Sequence, residues 1–457
     1  MNEQEQASLP PVFSVASVIA YPWRTEPEID LERQAFLTEC LKTQPDVRRE
    51  KYPFLGEKLT RADIEWLLVT HENGKGPVDW YDQQQRTRKG LDLRGADLRH
   101  VNLCYLPLAC LYGGLSRDEW QRTTLRQRNM AGIHLEGADL SEAHLEGAIL
   151  EGAYLNGATL RGTFLQGAFL FRADLRNTYL RGVHFERASL RGTRLEGAYL
   201  PDAHLQGADL RNAFFDGASN LEGITLSDEK CGTAILADVS WDNANLAVVD
   251  WTRVTHLGDE HKAYQLKTGQ GIVKDRAKQL EDFRAAVRAT RQLANAMRAQ
   301  SMNEEAVPFA YRAQVLQRKV LWRQVLWGEA EALFQRTPAR EARQQIQDIW
   351  RRFRKLVALL FSFFLDAIAG YGYRPGRTAF IYLVMLTAFA ICYDTIGHLT
   401  PIEALIFSVT SFHGRGFLPG QFALSSPVTA LAAMEAVIGL FIEISFIATF
   451  TQRFFGR

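Results

Sequence analysis

Along residues 133–217 the apolar positions recur every five residues, a period that fits neither a 3.6-residue helix nor a two-residue strand. The units read IHLEG-ADLSE-AHLEG-AILEG-AYLNG-ATLRG and continue in unbroken register. Their centres run from Leu135, Leu140 and Leu145 to Leu210, with Phe185 interrupting the leucines and Phe215 closing a run of seventeen. Two residues before the centres stand small or β-branched residues, among them Ala138, Ala143, Ala148, Thr163, Val183 and Ala208. Such a chain turns a corner after each unit and presents two inward positions per side. The centre fills the interior, and the small residue lets the next coil approach. An earlier block in another register has centres Leu93, Leu98, Leu103 and Leu108, and a later one Leu236, Trp241, Leu246 and Trp251. The insertion at about residues 109–132 should loop off the stack.

Elsewhere the periodicity is helical or continuous. Thr60, with Asp63 three residues on, reads as a helix start that carries Ile64, Leu67 and Leu68 inward and ends near 71–74. Residues 1–90 then form a cap over the open first coil. Residues 275–300 place Leu280, Phe283, Val287 and Leu293 at helical spacing, and 304–335 do the same with Phe309, Val315, Leu316, Val320 and Leu333. Asn303 and Pro308 near the break predict an α-hairpin. Residues 378–393 carry no charge, and 428–450 form a second apolar stretch of twenty-three residues. About twenty helical residues cross one bilayer core. The cluster Arg351, Arg352, Arg354 and Lys355 leads into a short apolar helix suited to the membrane interface.

Composition removes several function classes. The chain has 457 residues, 53 Lys plus Arg and 52 Asp plus Glu. That balance, with both signs interspersed, gives no basic surface for nucleic acid. Residues 133–220 carry eleven acidic and eight basic side chains, too mixed for a mimic of DNA. The five cysteines are scattered, without metal-ligand spacing. No nucleophile–base arrangement or phosphate loop appears, so neither an enzyme nor a bound cofactor or metal is expected. His134, His144, His184 and His204 precede leucine centres and should point outward at the corners. No basic flank precedes an N-terminal apolar stretch, so no cleavable leader is expected.

The five-residue units resemble the pentapeptide-repeat family, whose repeats stack as a right-handed, four-sided β-helix with four units per coil. On that resemblance the blocks make roughly six or seven coils spaced about 4.8 Å apart. Some relatives mimic DNA and bind topoisomerases; the mixed charge argues against that here.

The connection between the two apolar stretches, residues 402–419, begins as an apolar helix. It then changes to Thr410, Ser411, Phe412, His413, Gly414, Arg415, Gly416 and Phe417. A short helix followed by Gly-x-Gly between two spans reads as a re-entrant pore loop. Over about residues 375–457 this resembles the two-transmembrane branch of the potassium-channel superfamily. Phe407-Ser408-Val409-Thr410 matches its pore helix, and Gly414-Arg415-Gly416 takes the place of its Gly-Tyr-Gly filter. His413, Arg415 and Phe417 depart from the family's valine, tyrosine and aspartate, so potassium selectivity does not carry over. Glu435, Gly439 and Glu443 share one stripe of the last helix. By the resemblance Gly439 is the bending point and Glu443 faces the cavity.

The expected fold is multidomain: a cap (1–90), a pentapeptide-repeat β-helix (91–255), an α-helical hairpin (256–350), an interfacial helix and elbow (351–376), and an all-α two-span membrane domain with a re-entrant pore loop (377–457). The expected function is a homo-oligomeric, most simply tetrameric, ion channel of weak cation selectivity, with inorganic ions and the lipid bilayer as partners and both termini cytoplasmic. In this reading Arg415 turns behind the filter and pairs with Glu435. One alternative is an anion channel with Arg415 lining the pore; the other is a non-conducting, membrane-anchored scaffold. A ligand or protein partner of the soluble domains is left open.

Overall fold

The computed structural model describes residues 21–268, 271–334, 342–414 and 426–454. Residues up to His261 form one compact unit and those from Lys262 onward a second.

In the first unit, α1 (Leu31–Leu41) and α2 (Arg61–Gly74) precede the coils. The Thr60 hydroxyl accepts from the Asp63 N–H, and the Asp63 carboxylate accepts from the Thr60 N–H, which starts α2 as its sequence predicts. Helical dihedrals stop at His71, and Ile64, Leu67 and Leu68 are buried. Arg33 of α1 grips Asp63 through two 2.9 Å bonds. Lys58 adds a parallel bridge to Asp97, so the cap covers the edge of the first coil with its own backbone.

Parallel bridges then join residues twenty apart: His134 with Tyr154, Asp139 with Thr159, His144 with Phe164, Ile149 with Phe169, and onward to Arg194 with Phe214. Four bridges per coil make four sides of one five-residue unit each. Each side contributes a single bridge residue, so the ladder consists of isolated bridges rather than long strands. The centres are sealed, Leu145 and Phe185 at 0% exposure, and the small residues before them are equally buried. Inward hydroxyls are satisfied by the stack: Thr163 donates to the Leu140 carbonyl at 2.7 Å and Thr193 to Leu170 at 3.0 Å. Two residues past each centre the backbone turns left-handed, as at Gly137 (φ 67°) and Arg172 (φ 56°). Glycine recurs at these corners because it adopts that region without strain.

The excursion from the stack is shorter than the 109–132 expected. Tyr112 still bridges Asp92 and Ile149, and the Ile133 N–H closes the excursion on the Gly113 carbonyl at 2.8 Å. Between them lie α3 (Arg117–Gln121) and α4 (Leu125–Ala131), both started by capping boxes. Trp120 of α3 packs where a Cβ on Gly152 would stand. Next to it Glu151 is 3% exposed, and burial pushes its carboxyl up to about 7 against the opposing pull of Arg117 and Arg191.

A small hairpin, β1 (Ser227–Asp228) with β2 (Gly232–Thr233), interrupts the last coils. Leu236, Trp241, Leu246 and Trp251 fill the interior as their spacing predicts. At the closing end, Asp259 at the start of α5 (Gly258–Tyr264) accepts from the Leu236 N–H at 2.6 Å and the Ala237 N–H at 3.3 Å. A carboxylate stands where the carbonyls of a further coil would be. Burial pushes it up to about 6, although both N–H bonds act to lower it.

In the second unit, α6 (Arg276–Ala299) and α7 (Asn303–Phe334) form the predicted hairpin, with Phe283, Val287, Leu316 and Val320 in its core. The basic cluster and the apolar segment after it make one continuous helix, α8 (Ala342–Ala369), longer than the short one expected. Its Phe353, Leu356, Val357, Leu360, Phe361 and Phe364 are exposed. Gly370, Tyr371 and Gly372 then take positive φ and reverse the chain into α9 (Pro375–Gly397). Asp366 ties this elbow together. It accepts from Arg318 at 2.6 Å and Tyr311 at 3.0 Å on α7, and its carbonyl accepts from Arg377 of α9 at 3.0 Å. The 12-residue α10 (Pro401–Phe412) and the 28-residue α11 (Pro427–Phe454) complete the unit.

Candidate functional site

Among the described residues two helices are long and apolar enough to cross a membrane, Gly376–Gly397 within α9 and Pro427–Ile447 within α11. The connection between them starts with Thr400, whose capping box with Glu403 and the following Pro401 set the direction of α10. At about 18 Å α10 is too short to span. Ala404, Phe407, Ser408, Ser411 and Phe412 are its buried face, packed on α9 and α11.

The stripe Glu435, Gly439, Glu443 of α11 meets α10 at three levels. Glu435 is fully buried; Tyr393 of α9 donates to its Oε2 at 2.6 Å, and Ser408 of α10 lies 2.5 Å from its Oε1. One helical turn on, Gly439 faces the end of α10, and a Cβ there would lie 2.1 Å from the Phe412 carbonyl oxygen. The glycine therefore serves close packing inside a continuous helix, where the resemblance implied a bend. At the third level His413 Nε2 stands 3.3 Å from Glu443 Oε1, while its Nδ1 lies 2.8 Å from the Val409 carbonyl. Both side chains remain partly open, at 38% and 36% exposure. The Tyr382 ring of α9 meets His413 edge-on with centroids 6.0 Å apart.

Of the other sequence candidates, Thr410 bonds back to Ile406 and Phe407 carbonyls at 3.0 Å, and Gly414 has a positive φ of 66°. Arg415, Gly416 and Phe417 lie outside the described residues. Both oxygens of Glu435 find partners, on α9 and α10; the expected pairing with Arg415 falls outside the described residues. Sequence reasoning missed Tyr393 and Ser408 in this role. The signal was present, since a tyrosine inside an apolar span needs an acceptor and a buried glutamate needs donors.

The arrangement defines a repeat protein carrying an apolar two-helix unit with a short helix held between. Residues 121–157, 138–177, 168–203 and 178–217 match the family model described as pentapeptide repeats (8 copies). A pentapeptide repeat protein from the Arabidopsis thaliana thylakoid lumen is 29% identical over 21% of this chain and 66% of its own, with a TM-score of 0.20. HetL, a pentapeptide repeat protein of the cyanobacterium Nostoc involved in heterocyst differentiation regulation, is 26% identical over 35% of this chain and 79% of its own, at a TM-score of 0.17. Rfr23, a pentapeptide repeat protein of the cyanobacterium Cyanothece, is 27% identical over 32% of this chain and 88% of its own, at 0.14. No curated protein sequence matches the chain. The chain thus carries pentapeptide repeats, and the matches to the repeat model end before its apolar helices.

Proposed function

We propose that the chain is the subunit of a homo-oligomeric ion channel, most simply a ring of four, with its β-helix and α-hairpin as cytoplasmic regulatory parts. The supporting observation is the half-exposed His413–Glu443 pair at the inner end of a capped helix between two apolar ones. A charged side chain facing lipid at helix centre costs about 2.5–3.5 kcal/mol even on the mild insertion scale. The open side of the pair therefore needs water or protein. A closed ring of copies supplies both, as a shared lumen lined by α10 and α11. Glu443 makes that lumen weakly cation-selective. Arg415 in the lumen would make it anion-selective instead. A ligand or partner of the soluble parts would open it through the elbow at Asp366.

The test is single-channel recording of the purified chain in bilayers under a salt gradient, with mass photometry for the ring. A monomer or dimer, together with silence across voltage, pH and tension, would replace the channel with a membrane-anchored scaffold. The enclosure of Glu435 within one chain favours that second reading.

A further inference from the structure

We propose that the open face of α8 and the elbow after it form a binding surface for anionic phospholipid, with the apolar stripe in the acyl boundary and arginines on the headgroup phosphates. The inference goes beyond the channel reading: it requires the two apolar helices to enter a bilayer, but it requires no conduction.

The argument begins with the two faces of α8. One is already covered by the α-hairpin: Leu359 is buried, Arg318 of α7 stands 4.6 Å over the Phe363 ring, and Asp366 accepts from Arg318 and Tyr311. On the other face Trp350, Phe353, Val357, Leu360, Phe361 and Phe364 recur at helical spacing, and all are exposed. A contiguous apolar stripe open to this extent marks a contact surface. Its continuation says with what. Phe364 meets Phe441 of α11 edge-on with centroids 6.3 Å apart, and Phe441, itself 50% exposed, lies within the apolar stretch Pro427–Ile447. The stripe and the outer face of α11 are therefore one surface, and lipid that wets the second reaches the first.

Charge identifies the lipid. Arg374, at the start of α9, is exposed and stands 4.8 Å over the Tyr311 ring; Arg377, three residues on, is 41% exposed. Arg298 donates to the Tyr373 hydroxyl at 3.1 Å, and Arg318 pairs with Asp366 at 2.6 Å. Four guanidiniums thus gather round one carboxylate where the apolar stretch Gly376–Gly397 begins, the level at which a crossing helix meets headgroups. Arg354 and Lys355, both exposed, add two cations on α8 itself. Guanidinium groups bond phosphate oxygens in pairs, and the excess of positive charge favours headgroups with a net negative one.

Two measurements on the full-length chain in lipid nanodiscs test this. Trp350 emission, taken by difference from Trp350→Phe, should fall about twofold or more when the lipid acyl chains are brominated, and should stay out of reach of aqueous iodide. A tryptophan added by Phe361→Trp should respond in the same way. Quenching by iodide alone puts the stripe in water, and quenching by neither puts it under protein, such as a second copy of the chain; either result overturns the proposal. Amide exchange across residues 353–364 should slow when phosphatidylglycerol is mixed into phosphatidylcholine, by about fivefold for each cation engaged. Arg354→Gln and Arg374→Gln, both at exposed positions, should each remove about that factor. Equal exchange in the two lipids, or an unaltered response in both variants, refutes the assignment to anionic lipid. A chain that enters the discs without conducting ends the channel reading, while both measurements still decide this one; a chain that never enters them overturns both.

Discussion

Gly439→Ala asks whether this glycine serves packing or bending. The added Cβ would sit 2.1 Å from the Phe412 carbonyl oxygen and 3.0 Å from its carbonyl carbon, both part of a helix backbone that cannot rotate away. Restoring ordinary contact requires the end of α10 to retreat by roughly 1 Å. That retreat stretches the neighbouring His413–Glu443 contact at 3.3 Å and the Ser408–Glu435 contact at 2.5 Å. Overpacking costs about 1–3 kcal/mol, and so close an approach to backbone belongs in the upper half of that range, about 2–3 kcal/mol, against a helix-propensity gain of about 1 kcal/mol for replacing glycine. A net loss of about 1–2 kcal/mol corresponds to roughly 2–8 °C in a unit of this size. Cys392 of α9 is half-buried beside Tyr393, so the temperature at which it becomes open to alkylation, read by peptide mass spectrometry, reports this unit directly. Gly376→Ala, where a Cβ meets nothing within 4 Å, is the control and should not lower that onset. An unchanged onset for Gly439→Ala, with altered opening kinetics, would refute the packing argument and restore the bend.

Three further outcomes follow from contacts outside the two apolar helices. Because burial holds Glu151 up at about 7, above its ordinary 4.5, the folded state favours its proton, and stability of the surrounding coils should fall as pH rises from about 4.5 to 7. Glu151→Gln should remove that slope and, at pH 8, slow hydrogen exchange at residues 150–155 by an amount equivalent to at most about 3 kcal/mol; a slope that survives refutes the assignment. Asp259→Ala strands the Leu236 and Ala237 N–H groups, so exchange there should quicken roughly thirtyfold, with Asp259→Asn recovering part of the loss. Asp366→Asn and Arg318→Met should be coupled by about 1 kcal/mol or more in a double-mutant cycle read by exchange across residues 362–378, and additive effects would deny that the two form one tie.

Legibility from sequence tracked how local the cause was. Each five-residue unit repeats its own instructions, a large centre and a small residue before it, so the buried positions could be read from Leu135 to Phe215 without any structure, while the four units per coil came from the family resemblance. The cap helix was legible because Thr60 and Asp63 satisfy each other within one turn. The excursion was misjudged at its start because Leu111 and Tyr112 continue the stack after a register break that looks like its end. The length of α8 was underestimated for a related reason. Arginines on one side of a helix read as a boundary between segments, whereas a helix carries charged and apolar faces side by side. At the candidate site the stripe of Glu435, Gly439 and Glu443 could be read from i, i+4 spacing, but not their partners. Tyr393 and Ser408 come from two other helices, and only folding brings them to Glu435.

What the stripe touches bears on why the unit contains α10 at all. Two apolar helices joined by a polar turn anchor a protein without placing any carboxylate among them. Here α11 carries two, and each is met by a polar group of α10, Ser408 at one level and His413 at the other. Between them a missing side chain admits the Phe412 carbonyl, so α10 is held at three successive turns of one helix face. A buried polar group without a partner costs about 1–3 kcal/mol or more, so the Ser408 contact holds α10 against α11 as the Tyr393 contact holds α9 against it. The chemistry is thus concentrated on fixing a short helix inside the apolar unit with the residue that caps its end, His413, left partly open. In the channel proposed above, that position opens onto the lumen between copies, and single-channel recording of the purified chain distinguishes this from an anchor.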